Sequence, residues 1–577
     1  MSDDAPHDFG PTAASQSVVA SSRRHSALVA AGIFASRVSG LVREGTITFF
    51  FGNSFVVDAF TNAFKIPNFL QNLLGEGVLS ASFIPVYSRL LAEGREEDAG
   101  RVAGAIAGLL GVLAGGLVLA GVFLARPLTR VIAPGLPAET FELTVTLMRL
   151  LFPAIGLLVL SAWCLGVLNS HRRFFLSYVA PVLLNAAQIA FLVGIGFTVL
   201  RRGLAGEDPI PSQADLVTWL AVGTIVGAGL QFLVQLPSVV RLSRGLRPSL
   251  RTDLPGVRHT LRAFVPIVGG RGVVQLSVFV DLFLASFLAA GAIAALRFGQ
   301  VLYVLPISLF GMSVAAAELP ALSSVDASDR AGLQRRLDDG LGRVAFFVVP
   351  TALGFLVIGD LLVGALYQRG EFGRLETVQV WLVLAGYTVG LLASTASRLL
   401  QSALYGMGDP RSPAVYAAVR VVVSAAFGAL LMLQLDRVLW DGSGFSVTGA
   451  LPAFTSLPEA IRAPGQQADL VRLGAVGLAV AAGAASWLEY RLLRRRLLDV
   501  VDHIRIGGGE LRSTALAAVP AGLVALASRA VLSDLPIVAA AFVAVAATGA
   551  TYVAVARALG HREAQDLVAT IRRRLRR

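Results

Sequence analysis

The sequence predicts an all-α polytopic membrane protein of about fourteen transmembrane helices, and three observations carry that expectation. Of its 577 residues 55% are hydrophobic and only 15% charged, with a mean hydropathy of +0.71. A soluble chain of this length would form several domains, and none could cover so much apolar sequence with so few charges. The apolar residues also fall into runs that reach or exceed the ~20 needed to cross a bilayer, and arginines gather at the ends of those runs. The net charge of +12 would suggest nucleic acid in a soluble protein; here it follows from arginine-rich short loops on one side of a membrane, and no nucleic-acid partner is expected. Cys164 is the single cysteine, so no internal disulfide is possible, and Lys65 is the one lysine among otherwise arginine cations.

Residues 1–22 are small and polar, and read as a disordered cytoplasmic leader. Arg23 and Arg24 precede an apolar stretch, but Arg37 and Arg43 interrupt it and many further runs follow, so it reads as a first span rather than a cleaved signal. Spans are then expected at roughly 25–51, 55–91 (broken), 102–131, 138–168, 174–201, 213–242, 260–290, 292–322, 337–359, 375–406, 411–435, 468–494, 513–532 and 534–557. Connections after the even-numbered spans carry Arg95 and Arg101, Arg172 and Arg173, a cluster from Arg241 to Arg262, Arg330 to Arg336, and Arg491 to Arg512, which makes them cytoplasmic. Arg201 with Arg202, and Arg369 with Arg374, are mild exceptions. An even count returns the basic tail, 559–577, to the side of Arg23, so both termini are expected in the cytoplasm. The connection at 436–467, rich in glycine and proline, reads as an external loop with one short surface helix near Pro458 to Arg462.

An ionisable side chain at mid-membrane costs at least ~2.5 to 3.5 kcal/mol, so those within spans face a partner or a water-filled cavity. That rule singles out Arg37, Arg43 and Glu44 in the first span; Asp58, Lys65 and Glu76 in the second; Arg271 and Asp281 in the seventh; Arg297 and Glu318 in the eighth; and Arg398 in the tenth. Asp281, Glu318 and Arg398 are kept as candidates for ion coupling or pairing. For Glu318 and Arg398, snorkelling to the headgroups from a helix end stands beside a buried role. Arg37 and Glu44 share a helix face and could pair, but two cations in one span exceed the local anions, which favours a cavity role for Arg37 and Arg43.

Pro67 followed by Gly75-Glu76-Gly77 predicts a kinked or interrupted second span, with freed backbone groups lining a cavity. Gly269-Gly270-Arg271-Gly272 repeats the pattern of small residues, a flexible point and an embedded cation, although close helix packing explains the glycines equally. Guanidinium groups around a cavity suit an anionic substrate, a phosphate or pyrophosphate above all, because the planar fork pairs with phosphate oxygens bidentately. The 6 histidines lie at span ends or in loops, without His-Glu-x-x-His spacing, and no Gly-x-x-x-x-Gly-Lys phosphate loop occurs. A transporter is therefore expected rather than a hydrolase or an ATP-driven pump, with no metal or cofactor.

Ser36-Arg37-Val38-Ser39-Gly40-Leu41-Val42-Arg43-Glu44, then Asp58-Ala59-Phe60, Phe64-Lys65-Ile66-Pro67-Asn68, Gly75-Glu76-Gly77 and Ser82-Phe83-Ile84-Pro85, form an ordered set over about fifty residues that resembles the MurJ/MviN lipid II flippases. The likeness continues at Gly166-Val167-Leu168-Asn169, Ala180-Pro181 through Asn185, Gln235-Leu236-Pro237, Ala285 through Ala289, Leu319 through Ser323, and Tyr405 with Asp409 through Pro413. The resemblance implies a member of the multidrug/oligosaccharidyl-lipid/polysaccharide exporter superfamily. It implies fourteen helices in two lobes around a central cationic cavity, with an N-terminal lobe over 23–244, spans seven to eleven over 245–435, and spans twelve to fourteen over 468–558. The implied activity is movement of undecaprenyl-pyrophosphate-linked peptidoglycan precursor to the outer leaflet of the bacterial plasma (inner) membrane by alternating access, powered by an ion gradient or membrane potential. Membrane lipids and proteins of cell-wall synthesis or division are the implied partners. It places Arg37, Arg43, Glu44, Asp58 and Lys65 in the substrate site, with Asn68 and Glu76 of the same motifs. Two customary cation positions are absent, since Gln71 and Asn72 follow the second-span proline and Val301 precedes Pro306. Arg297, one turn from Val301, and Arg271 could carry the relocated charge; a diverged paralogue handling another lipid-linked glycan or a drug, or a scaffold that does not transport, are the alternatives.

Overall fold

Apolar runs in lipid must satisfy their backbone N–H and C=O groups internally, and helices do so. The computed structural model describes residues 32, 34–205, 212–312, 330–442, 444–463, 470–506 and 510–575 and is helical nearly throughout. In chain order α1 covers residues 34–51, followed by α2 Phe55–Leu74, α3 Glu76–Ser82, α4 Ile84–Ala92, α5 Glu96–Ile132, α6 Ala138–Ser170, α7 Phe174–Ala205, α8 Gln213–Leu242, α9 Pro255–Ala285 and α10 Ala292–Pro306. A π-helical turn, Ile307–Met312, extends α10. Beyond it come α11 Arg330–Val357, α12 Gly359–Tyr367, α13 Arg374–Thr388, α14 Leu391–Gly406 and α15 Arg411–Leu435. The short elements β1 Val438–Trp440, β2 Phe445–Val447, α16 Glu459–Arg462 and β3 Val471–Arg472 precede α17 Gly474–Leu497, α18 Leu511–Val531, α19 Ile537–Ala558 and α20 Arg562–Leu575.

Among the described residues nine helices are long and apolar enough to cross a membrane, or ten if α13 and α14, bent by 45° at their junction, form one span. The all-α polytopic fold is thus present, while this test does not establish the expected count of about fourteen. Arg37, Arg43 and Glu44 lower the hydropathy of α1, and Asp58 and Lys65 together with Asn62, Asn68, Gln71 and Asn72 lower that of α2. The interruption expected in the second span falls at Gly75, between α2 and α3, and α2 continues unbroken through Pro67. Around Gly269 to Gly272 the outcome differs, because α9 is continuous there. Glycine weakens a helix by about 1 kcal/mol but removes no hydrogen bond, so neighbouring turns carry it.

The chain divides into two compact units, one of Met1–Thr46, Ala63–Arg126 and Val145–Gly272, the other of Ile47–Asn62, Pro127–Thr144 and Val273–Arg577. In the first, α7 packs along α8, where a methyl on Gly227 would lie 2.9 Å from Leu184 Cα; small residues let helices approach where lipid supplies no hydrophobic drive. Gln188 donates to Thr224 at 2.6 Å, and Gln231 and Gln235 both donate to Ser161, so buried polar groups join helices α6, α7 and α8. In the second unit α15 pairs with α17, and α17 also meets α13 and α14.

The connection after α15 is more ordered than its composition suggests. Its strands form an antiparallel sheet in the order β2-β1-β3, with Val438 opposite Val447 and Leu439 opposite Arg472. The short surface helix expected near Pro458 to Arg462 is present as α16, with Glu459 and Ala460 exposed and its last residue turned inward. Arg462 is buried and donates to the carbonyls of Leu457, Gly135 and Ser286, at 2.8, 2.6 and 3.4 Å. A guanidinium with several donors can dock a loop where an apolar side chain could not satisfy those carbonyls.

Candidate functional site

In the first unit the site builds on α1. Its helical repeat places Ser39 and Arg43 one turn apart, facing α7. Arg43 Nη1 donates to Asn185 Oδ1 at 3.1 Å, its Nη2 pairs with Glu44, and Asn185 Nδ2 donates to Ser39 Oγ at 2.9 Å. Glu44 is buried, and Arg43 keeps about a quarter of its side chain exposed. The ion pair of this helix therefore joins neighbours 43 and 44, whereas the sequence pattern offered Arg37 and Glu44. Arg43 is held from two sides, Nη1 by Asn185 and Nη2 by Glu44, which fixes the plane of a cation suited to oxyanions. Arg37 lies exposed on the same helix, Lys65 is half-buried on α2, and Asn68 is exposed. The side chains of Glu76 and Arg271 lie outside the described residues.

In the second unit Asp58 has a different task from the one its charge suggests. Its carboxylate oxygens accept from the backbone N–H groups of Gly291, at 2.6 Å, and Ala294, at 2.7 Å, at the start of α10. The first N–H groups of a helix have no internal partner and carry its positive dipole end, so a buried carboxylate there caps the helix. Gly291 makes the approach possible. It has φ of +87°, and a Cβ on it would lie 2.3 Å from Asn53 O. One turn along α2, Thr61 Oγ1 accepts from Arg297 Nη1 at 3.1 Å, and the guanidinium carbon lies 5.7 Å from the Phe60 ring centroid and 5.9 Å from that of Phe298. Helix α10 is regular from Ala292 to Pro306, so Arg297 and Val301 stand one turn apart on one face.

The remaining candidates divide. Asp281 and Arg398 are exposed, and Glu318 lies outside the described residues. Sequence reasoning missed a charged pair in the second unit, where Arg420 on α15 meets Glu489 on α17 at 3.1 Å and Gln401 donates to the same carboxylate at 2.8 Å. The signal was available, since both lie within runs read as spans and the cost of an embedded charge applies to them equally. A cleft of about 530 Å³ in the first unit is lined by Arg172, Arg173 and Arg241 with Phe174, Phe175 and Leu242. The loop reading of these arginines expected them on the cytoplasmic side and did not foresee this concentration of charge.

The model of the family described as lipid II flippase MurJ matches residues 47–440, which is more than half of the chain. The chain belongs to the MurJ lipid II flippase family. Its MurJ-family relatives include the probable lipid II flippase MurJ of Bdellovibrio bacteriovorus, 32% identical over 435 residues that cover 74% of this chain and 79% of the relative. The lipid II flippase MurJ of Burkholderia cenocepacia is 32% identical over 413 residues, 70% of this chain and 75% of that one. Among solved structures, a lipid II flippase MurJ in an inward closed conformation has a TM-score of 0.70 at 20% identity, covering 94% of this chain and 99% of that one. An inward-facing multidrug resistance MATE family transporter of the MOP superfamily has a TM-score of 0.59 at 15% identity, with 81% and 95% covered. Both likenesses concern the fold. The MurJ family match contains Asp58, Lys65, Asn68, Glu76, Arg271 and Arg297, begins after Arg37, Arg43 and Glu44, and ends before α17.

Proposed function

We propose that this chain is a flippase that carries lipid II, the undecaprenyl-pyrophosphate-linked peptidoglycan precursor, from the inner to the outer leaflet of the bacterial plasma membrane by alternating access. The observation that carries the reading is the family match over residues 47–440. In this reading Arg37 and Arg43 bind pyrophosphate oxygens, and Glu44 and Asn185 hold the Arg43 fork in register. Lys65, Asn68 and Glu76 belong to the same substrate path. Arg297, in the second unit, and Arg271, in the first, each supply a cation in place of those missing at Gln71, Asn72 and Val301, and Asp58 acts as a positioning residue through the start of α10. The sequence carries no phosphate loop and no catalytic constellation, which supports transport without covalent chemistry, powered by an ion gradient or the membrane potential. The arginine distribution supports cytoplasmic termini, and cell-wall synthesis or division proteins are the expected partners.

A specific observation favours a second reading, since Gln71, Asn72 and Val301 stand where the resemblance calls for cations. A paralogue carrying another lipid-linked glycan would show that substitution. Depletion of the protein with complementation separates the two. In the lipid II reading, the precursor accumulates in the inner leaflet on depletion, the wild-type gene restores its passage, and Arg37→Ala does not. Depletion without lipid II accumulation would favour the second reading, and full rescue by Arg37→Ala would remove that residue from the site.

A further inference from the structure

We propose that Glu510, His561 and Glu563 form a binding site for a divalent cation of the zinc class, which ties the start of the basic tail helix α20 to the start of α18. Glu510 is the residue just before α18, His561 lies in the turn between α19 and α20, and Glu563 is in the first turn of α20. One donor atom from each, His561 Nδ1 and a carboxylate oxygen of each glutamate, lies within 4.8 Å of the others. Nδ1 is 3.1 Å from Glu510 Oε2 and 3.0 Å from Glu563 Oε2. An ion with bonds of about 2.0–2.2 Å to nitrogen and oxygen holds neighbouring donors roughly 2.9–3.4 Å apart at octahedral to tetrahedral angles.

The second, independent observation is the state of those atoms. The His561 side chain is fully buried, and Nδ1, Glu510 Oε2 and Glu563 Oε2 are all shielded from solvent without a hydrogen-bond partner. Neither carboxylate is aligned to receive a proton from Nδ1, so ion pairing by a protonated ring leaves the arrangement unsatisfied. The other face of the ring meets Thr514, whose hydroxyl oxygen lies 3.1 Å from Nε2 and can accept from it. With its proton on Nε2, His561 presents a bare lone pair at Nδ1 between two carboxylate oxygens. A metal-binding histidine is oriented in this way, by a hydrogen bond from its other nitrogen. One imidazole with two carboxylates suits zinc better than magnesium or calcium, whose ligands are oxygens. All three residues lie beyond the end of the family match.

The packing beneath the site assigns the consequence. Ala564 of α20 is buried with Ala517 and Ala521 of α18, Tyr552 and Ala556 of α19, and Phe346. The ion would hold the tail helix on that cluster from its first turn.

The test uses the full chain, purified in detergent, stripped with a chelator and titrated with Zn²⁺ alone. One Zn²⁺ per chain is expected, with a rise in the unfolding temperature that Mg²⁺ does not reproduce. X-ray absorption at the zinc edge should show one imidazole and two carboxylates. Glu563→Gln, which keeps the side-chain shape, should weaken binding at least tenfold, and Thr514→Val about tenfold. Absence of bound zinc, a zinc shell without imidazole, or undiminished affinity in folded Glu563→Gln would overturn the proposal.

Discussion

Arg37 and Arg43 make different demands on the protein although both are cations of α1. Arg37 is exposed, so Arg37→Ala should leave stability within about 0.5 kcal/mol of wild type while transport is lost. Arg43→Ala should lose transport and also stability, by about 1–3 kcal/mol, because it withdraws the ion pair from buried Glu44 and the donor from Asn185. Adding Glu44→Gln should return part of that stability and none of the transport, as read by thermal unfolding in detergent beside a transport measurement. These two arginines were legible because a charge in an apolar run is expensive and therefore conspicuous. Asn185 stood inside a motif of the resemblance but carried no charge, so nothing in the sequence tied it to Arg43. Arg420 and Glu489 were legible by the same rule and were passed over.

Helix α10 owes its position to a contact made far away in sequence. Asp58→Ala should leave the N–H groups of Gly291 and Ala294 without their acceptor, lowering stability by about 2–5 kcal/mol, and Asp58→Asn, which keeps one acceptor oxygen, should lose less. Gly291→Ala should be similarly damaging, by about 2 kcal/mol or more, since it combines a positive φ with a close approach to Asn53 O. Folded yield and unfolding temperature check both. Membrane physics marked Asp58 as embedded but could not name its partner, because a helix start has no signature in the charge pattern of a different helix. The break at Gly75 was legible from the glycines on either side of Glu76, while Pro67 lies within an unbroken α2 and the continuity of α9 was not legible, since glycine permits a break without requiring one. The sheet of β1, β2 and β3 escaped for another reason. Strands of two or three residues show no alternation, and β3 lies where the apolar pattern already places the start of the twelfth span.

At the scale of the molecule the apolar runs foretold an all-α polytopic chain, and the periodicity of helices foretold little of how each unit packs. Asp436, at the end of α15, gives a whole-molecule readout. Burial pushes its carboxyl up to about 6, against the lowering effect of Arg472, Arg462 and Arg437. The folded chain therefore keeps a proton that the unfolded chain releases near pH 4, so stability should fall as pH rises from about 4 to 6, by on the order of 3 kcal/mol. Asp436→Asn should flatten that slope in unfolding curves recorded across the interval. The central claim concerns lipid II itself and is met most directly by reconstitution. Purified protein in sealed liposomes, with labelled lipid II in the inner leaflet, is assayed for label that becomes accessible from outside. The account predicts transfer by wild type and none by folded Arg37→Ala; no transfer above protein-free liposomes under an imposed ion gradient or potential, or equal transfer by both proteins, would contradict it.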